Sequence, residues 1–257
     1  MADMGQKQPV YRNEWKYYIS LWEAEALKGR LRPFLQPDPH AVNGSYTIRS
    51  LYFDDYWNSS YEEKLMGVEE RQKWRIRIYD YSDGRISLER KKKQGSYIHK
   101  DAAVITRREY EQILNQDFLF LLSHPAALCR EFYYECVSRL QRPKVIVDYE
   151  REPLICSEGN VRITFDRDVR AAVGGWDIFD PELPTLAALD PGMLVLEVKF
   201  TQFLPGLIQK LLPSFGQEFW AISKYTLCYE RAHYLTDTLA GITKTSGRNE
   251  NEFRGLF

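Results

Sequence analysis

Between Arg71 and Arg77 every second residue is a cation: Arg71, Lys73, Arg75 and Arg77 alternate with Gln72, Trp74 and Ile76. Extended backbone sends successive side chains to opposite faces. The pattern therefore predicts a strand charged on one side and apolar on the other, through Trp74, Ile76 and Ile78. Neighbouring cations on the charged side stand about 7 Å apart and repel one another. A solvated outer face tolerates such a row. So does an interior that an anion enters.

The habit recurs along the chain, which weakens the solvated-face reading. Arg12, Glu14 and Lys16 share one face, and so do Glu89, Lys91 and Lys93, although Arg90 and Lys92 charge the opposite face as well. Arg162, Thr164 and Asp166 alternate further on, and Tyr149 with Arg151 opposes Asp148 and Glu150. The segment MLVLEVKF is the most informative, because Glu197 and Lys199 sit on one face of an otherwise apolar strand. Lone charges in such a strand are costly to bury without partners. An eight-stranded barrel with a charged lumen accommodates all these strands at once. Its Arg and Lys side chains suit phosphate oxygens, and its Glu side chains suit a divalent metal bridging them.

Period-two segments at about 10–19, 46–54, 72–81, 85–92, 96–105, 143–151, 160–167 and 193–201 give eight predicted strands. Ser82-Asp83-Gly84 predicts a hairpin turn between the third and fourth, and Gln94-Gly95-Ser96 another tight turn. Ser20 with Glu23, and Thr106 with Glu109, make capping-box patterns for helices running to about Leu35 and Asn115. Further helices are predicted at about 125–140, where Leu128, Phe132, Cys136 and Leu140 keep helical spacing, at 205–212, and from Ser223 to about Thr236. Many antiparallel strands with a few helices define an α+β fold. At the last helix, Ser223 is a plausible N-cap and Lys224 a neighbouring cation, a pairing that serves either an ordinary cap or a phosphate site.

Composition narrows the function. Lys and Arg total 35 against 36 Asp and Glu, so the basic excess of a general nucleic-acid or membrane binder is lacking. An anion site must come from how charges are arranged. Cys129, Cys136, Cys156 and Cys228 form no CxxC pair and suit reduced thiols in a cytoplasmic protein. His40, His99, His124 and His233 show no metal-ligand spacing. No signal core or membrane-length apolar run is visible. Without a linker or repeat, residues 8–238 are expected to form one domain, with 239–257 a poorly ordered tail.

The segments YRNEWKYYIS, TIRSLYFDDY, KWRIRIYDY, LERKKKQGSYIHK, RPKVIVDYERE, VRITFDRDVRA, VLEVKF and ISKYTLCYE, in this order over roughly 10–235, resemble the VTC domain. This is the polyphosphate-polymerase domain of the triphosphate tunnel metalloenzymes, related to CYTH-type triphosphatases. The resemblance implies an eight-stranded antiparallel tunnel with peripheral helices. It also implies Mn²⁺ or Mg²⁺, and transfer of the γ-phosphate of ATP or another nucleoside triphosphate onto polyphosphate. By motif, Lys16, Arg75, Arg77, Lys91, Arg162 and Lys224 take phosphate-contacting, catalytic positions. Arg12, Lys73, Lys100, Arg151, Lys199 and Ser223 are further substrate contacts, and Glu197, with Glu14 and Glu89 behind it, is the metal candidate. The triphosphatase branch opens on Glu, Glu, Lys where this chain has Arg12, Glu14, Lys16, which favours transfer over hydrolysis. Eukaryotic VTC proteins also carry an SPX domain and membrane helices. Neither is visible here, which points to a stand-alone bacterial-type form that would need an unidentified partner to move its product. A binding module without turnover and an inorganic triphosphatase are the alternatives.

Overall fold

Antiparallel strands carry most of this chain in the computed structural model, which describes residues 13–95, 97–201, 203–213 and 222–234. Arg12, Ser96 and the predicted tail lie outside the described residues. The strands are β1 (Asn13–Ser20), β2 (Gln36–Pro37), β3 (Tyr46–Asp54), β4 (Glu70–Tyr79), β5 (Ser82–Gln94), β6 (Tyr97–Ile105), β7 (Arg142–Cys156), β8 (Val161–Ala172), β9 (Thr185–Ala187) and β10 (Met193–Phe200). The helices are α1 (Leu21–Leu31), α2 (Ser59–Leu65), α3 (Arg107–Leu114), α4 (Phe120–Ser123), α5 (Ala127–Ser138), α6 (Gly206–Leu211) and α7 (224–234).

Eight strands form one continuous path, β1-β10-β8-β7-β3-β4-β5-β6, with β2 and β9 paired on the side to β7 and β8. Every pairing is antiparallel. The expected α+β class holds and all eight expected strands are present, joined by the unexpected short β2 and β9, but the expected closure does not hold. The sheet curls until β1 touches β6, yet among the described residues no backbone ladder joins them. The enclosure is a rolled sheet with a seam rather than a barrel.

Apolar faces point outward from the roll, and helices cover them. Trp74, Ile76 and Leu88 meet Phe132 and Cys136 of α5 and Tyr110 of α3. Tyr17, Leu196, Val198 and Phe165 meet Leu27 and Leu31 of α1. Burying a side chain of this size stabilises by about 1.5–3 kcal/mol, so these outer layers fix which face of each strand turns inward. Helix α7 differs. Its Tyr225 and Cys228 pack on Ile48, Val147 and Val169, on the same face of β3, β7 and β8 that carries Tyr149 and Arg151. This brings Ser223 and Lys224 inside the roll.

The two predicted capping boxes are present. Glu23 and Glu109 each bond back to the cap backbone, at 2.7 Å to Ser20 and to Thr106. The predicted turn at Ser82-Asp83-Gly84 is displaced: Tyr79 pairs with Ser82, so Asp80 and Tyr81 make the turn, both at positive φ. Long-range contacts outweigh the glycine. The Asp80 carboxylate accepts from Thr47 N at 2.8 Å, and the Tyr81 ring lies 4.3 Å under the Arg49 guanidinium. Leu140, expected in helical spacing with Cys136, falls beyond α5 with φ 58°.

Candidate anion-binding cavity

Inside the roll lies a cavity of about 400 Å³. Eleven Lys or Arg side chains line it, against two carboxylates, Glu14 and Glu197. The row of β4 supplies Arg71, Lys73, Arg75 and Arg77, the strand geometry the sequence predicts.

In the deep part, carboxylates hold the cations. Glu197 is 4% exposed and contacts four of them: Lys16 at 3.2 Å, Lys224 at 2.8 Å, Lys199 at 2.9 Å and Arg151 at 3.4 Å. Asp166 takes Arg151 through two bonds of 2.6 Å and Lys224 at 2.5 Å. Glu14 takes Lys91 at 2.6 Å and Lys199 at 3.2 Å. Glu89, also buried, takes Arg75 at 2.6 Å and Lys100 at 3.0 Å. Burial alone would push the Glu197 carboxyl up. The surrounding Lys16, Lys199, Lys224 and Arg151 outweigh it and hold Glu197 well below the usual carboxylate range. Glu14 is lowered in the same way against its burial, by Lys16, Lys91 and Lys199. Burial works against the Lys224 ammonium, but Asp166 and Glu197 reverse that and raise it.

Toward the opening the balance fails. Arg71 faces Lys93 across the β4–β5 ladder, and Lys73 faces Lys91. Lys64 of α2 joins them, brought over β4 by the Ser60 hydroxyl donating to the Gln72 carbonyl at 3.1 Å. Lys73 donates to Ser223 Oγ at 3.2 Å and lies 4.5 Å over the Tyr225 ring, both neutral partners. Burial followed by Lys64 and Arg71 drives the Lys73 ammonium well down. Burial with Arg71, Lys93 and Lys16 brings Lys64 to about 8.

Lys16, Arg75, Arg77, Lys91 and Lys224, with Lys73, Arg151, Lys199 and Ser223, all line the cavity, as do Glu14 and Glu197. Three expected contacts stand elsewhere. Arg162 shares the inner face with Lys199, but its guanidinium bonds Asp38 at 2.7 Å and the Tyr46 hydroxyl at 2.8 Å outside the cavity wall. Lys100 is half-exposed on Glu89, and Glu89 itself lies behind Arg75. The expectation passed over Lys64, Arg71 and Lys93 as site residues. Arg71 and Lys93 were visible as members of charged strand faces. Lys64 gave no signal, because its helix spans only seven residues.

Mg²⁺ and Mn²⁺ take oxygen ligands, and Mg²⁺ is ordinarily held by one or two carboxylates together with substrate phosphates. Among the described residues no three His, Cys, Asp or Glu side chains converge on one point. Glu14 Oε1 is buried with no well-aligned hydrogen bond, and its contact is the ion pair to Lys199 at 3.2 Å, which bridges it to Glu197. These two carboxylates fit a cation that arrives with phosphate, once the lysines turn to the phosphate. Glu89 does not fit, since it stands outside the cavity lining, paired with Arg75 and Lys100.

The fold and cavity define a class of protein: rolled antiparallel sheets that enclose a strongly cationic interior. The VTC domain profile matches residues 11–233, and the chain belongs to that family. Solved structures similar to it include a candidate adenylyl cyclase from Hippeastrum described as having a dominant triphosphatase activity. It is 14% identical, at a TM-score of 0.49, covering 86% of this chain and 95% of that one. A protein from Pyrococcus horikoshii OT3 is 12% identical at 0.48, covering 86% and 99%. A candidate adenylate cyclase from Bacillus halodurans is 11% identical at 0.48, covering 82% and 95%. No curated protein sequence matches the chain. No helix among the described residues is long and apolar enough to cross a membrane.

Proposed function

We propose that this chain is a phosphotransferase of the polyphosphate-polymerase kind, moving the γ-phosphate of ATP or a similar nucleoside triphosphate onto a polyphosphate end. The observation that carries the reading is the excess of eleven cations over two carboxylates in one cavity. Phosphoryl transfer needs positioning and charge neutralisation more than a nucleophilic side chain. Arg75 and Arg77 present guanidinium forks from one strand, and Lys16, Lys199 and Lys224 reach in from β1, β10 and α7. These groups would hold the triphosphate and the acceptor in line. A terminal phosphate oxygen of the acceptor forms the new P–O bond as the bond between the γ-phosphorus and the bridging oxygen breaks, and nucleoside diphosphate leaves. Mn²⁺ or Mg²⁺, held by Glu14 and Glu197 with the phosphates, would supply further neutralisation of the charge that develops.

Incubation with ATP and Mn²⁺, with polymer-bound phosphate and free orthophosphate measured in parallel, tests this. Growth of a polyphosphate ladder in excess of released orthophosphate is expected, and it should vanish in the R75A/R77A variant. Orthophosphate alone would make the chain a triphosphatase. Binding of tripolyphosphate without either product would make it a binding module.

A further inference from the structure

The cavity is not uniform along its length. Along β4 and β5 the cross-strand pairs run Arg71 with Lys93, Lys73 with Lys91, Arg75 with Glu89, and Arg77 with Ser87. The first pair is two cations. The second is two cations of which one, Lys91, has Glu14. The third is a cation with its own carboxylate. Like charges placed directly opposite on a sheet destabilise it, so the outer end stores a repulsion that the inner end has neutralised. Among the described residues no carboxylate oxygen lies within 4.0 Å of Lys64, Arg71, Lys73 or Lys93. Arg71 instead donates to the Val68 carbonyl, and Lys73 to the Ser223 hydroxyl.

We infer that Lys64, Arg71, Lys73 and Lys93 form a second anion subsite, one that takes the part of a polyphosphate chain beyond its first three phosphates and so makes the cavity select long chains over short ones. This rests on the cavity's being a site for phosphate polyanions. Length enters through geometry. From Arg71 to Arg77 is six residues of strand, about 20 Å, which exceeds a triphosphate. A short ligand fills the deep part, where buried guanidinium forks act through a less polar medium. It leaves the outer four cations unmatched. A longer chain continues outward and places a phosphate among each pair of them. Lys64 gives the subsite a second wall, because it comes from α2 rather than from the sheet.

The experiment compares calorimetric affinity for tripolyphosphate and for a long-chain polyphosphate in the wild-type chain, in K64A/K93A and K64R/K93R, and in K92A as a control. Lys92 is exposed on the opposite face of β5. K64A/K93A should lose about tenfold or more for the long chain and less than about twofold for tripolyphosphate. K64R/K93R, which keeps both charges, should retain the wild-type preference for length. K64A/K93A removes two repelling charges, so its melting temperature should equal or exceed that of the wild type. An equal loss for both ligands would overturn the inference, because the outer cations would then belong to one undivided site. So would no loss for either, a fall in melting temperature that accounts for the loss, or a comparable loss in K92A. If the wild-type chain binds neither ligand, the phosphate reading falls first and this inference with it. If it binds both and K64A/K93A behaves as wild type, only the inference falls.

Discussion

Lys91 shows how much charge crowding one side chain can bear. Its ammonium lies 2.6 Å from Glu14 and is still pushed down to about 7. Burial is the main cause; Glu14 resists it, and Lys16 and Lys199 add to it. Lys64, at about 8, is lowered by burial and by Arg71, Lys93 and Lys16. A lysine whose folded pKa lies below its unfolded value binds fewer protons when folded. The free protein therefore gains stability from these two groups as pH rises from about 7 toward the unfolded lysine value, by up to about 1.4 kcal/mol per pH unit for Lys91 and by less for Lys64, whose charge is better screened by solvent. An arriving polyanion reverses the sign. It favours the charged ammonium, restores a higher pKa, and takes up protons on binding. Affinity for long-chain polyphosphate, which reaches both groups, should accordingly fall between pH 7 and pH 9. Calorimetry at pH 8 in two buffers of different ionisation enthalpy should register net proton uptake. Affinity that rises with pH, or binding without uptake, would count against charged lysines as the receiving groups. The inward face of Lys91 was readable from alternation. Its easy discharge was not, since that depends on Glu14, Lys16 and Lys199, which arrive from β1 and β10.

At the scale of elements, the strands were the legible part and α2 was the blind spot. Alternation fixed β4 and β10 to within a few residues, because each sets charges on one face and apolar residues on the other. Helix α2 has neither an apolar stripe nor a side-chain cap at its own N-terminus, and Asn58 before it is left-handed. What holds it is Asp54, fully buried at the end of β3. The Asp54 carboxylate accepts from the backbone N–H of Asp55 and Ser60 at 2.9 Å, from Tyr61 N at 3.1 Å and from the Tyr225 hydroxyl at 2.7 Å. One side chain thus ties the helix carrying Lys64 to the helix carrying Lys224. Asp54→Ala strands buried donors, each costing about 1–3 kcal/mol, so a loss of about 3–5 kcal/mol in denaturant unfolding is expected. Amide exchange should also speed up in 59–65 well before it does in β7. A variant that keeps wild-type stability and exchange would show that α2 is held by other contacts.

The molecule as a whole is a sheet that stops short of closing, and its charges explain why the seam matters. A closed barrel was the natural expectation from eight alternating strands, since pattern alone reports faces and says nothing about whether the first and last strands pair. Across the seam the link is electrostatic: Lys91 of β5 reaches Glu14 of β1. Cations crowd both banks, with Lys16 and Lys199 on one and Lys73, Lys91 and Lys93 on the other. Lys16 lowers Lys91, Lys93, Lys64 and Lys73 through this gap: on Lys91 it acts more strongly than any other cation, and on the other three it comes behind burial and other cations. Repulsion between the banks therefore opposes closure in the free protein, and a polyanion between them replaces repulsion with two sets of charge-assisted bonds. Without ligand, amides along the seam edges of β1 and β6 have no strand partner among the described residues and should exchange faster than those of β3 and β7, which are paired on both sides. Saturation with polyphosphate should slow exchange in 13–20 and 97–105 more than in 46–54 and 142–156, because only the first two depend on how the banks approach. Hydrogen exchange followed by mass spectrometry reads this segment by segment. Protection spread evenly over all four segments would mean that the ligand stiffens the roll as one body, and no protection at the seam would mean that the anion sits on one bank alone.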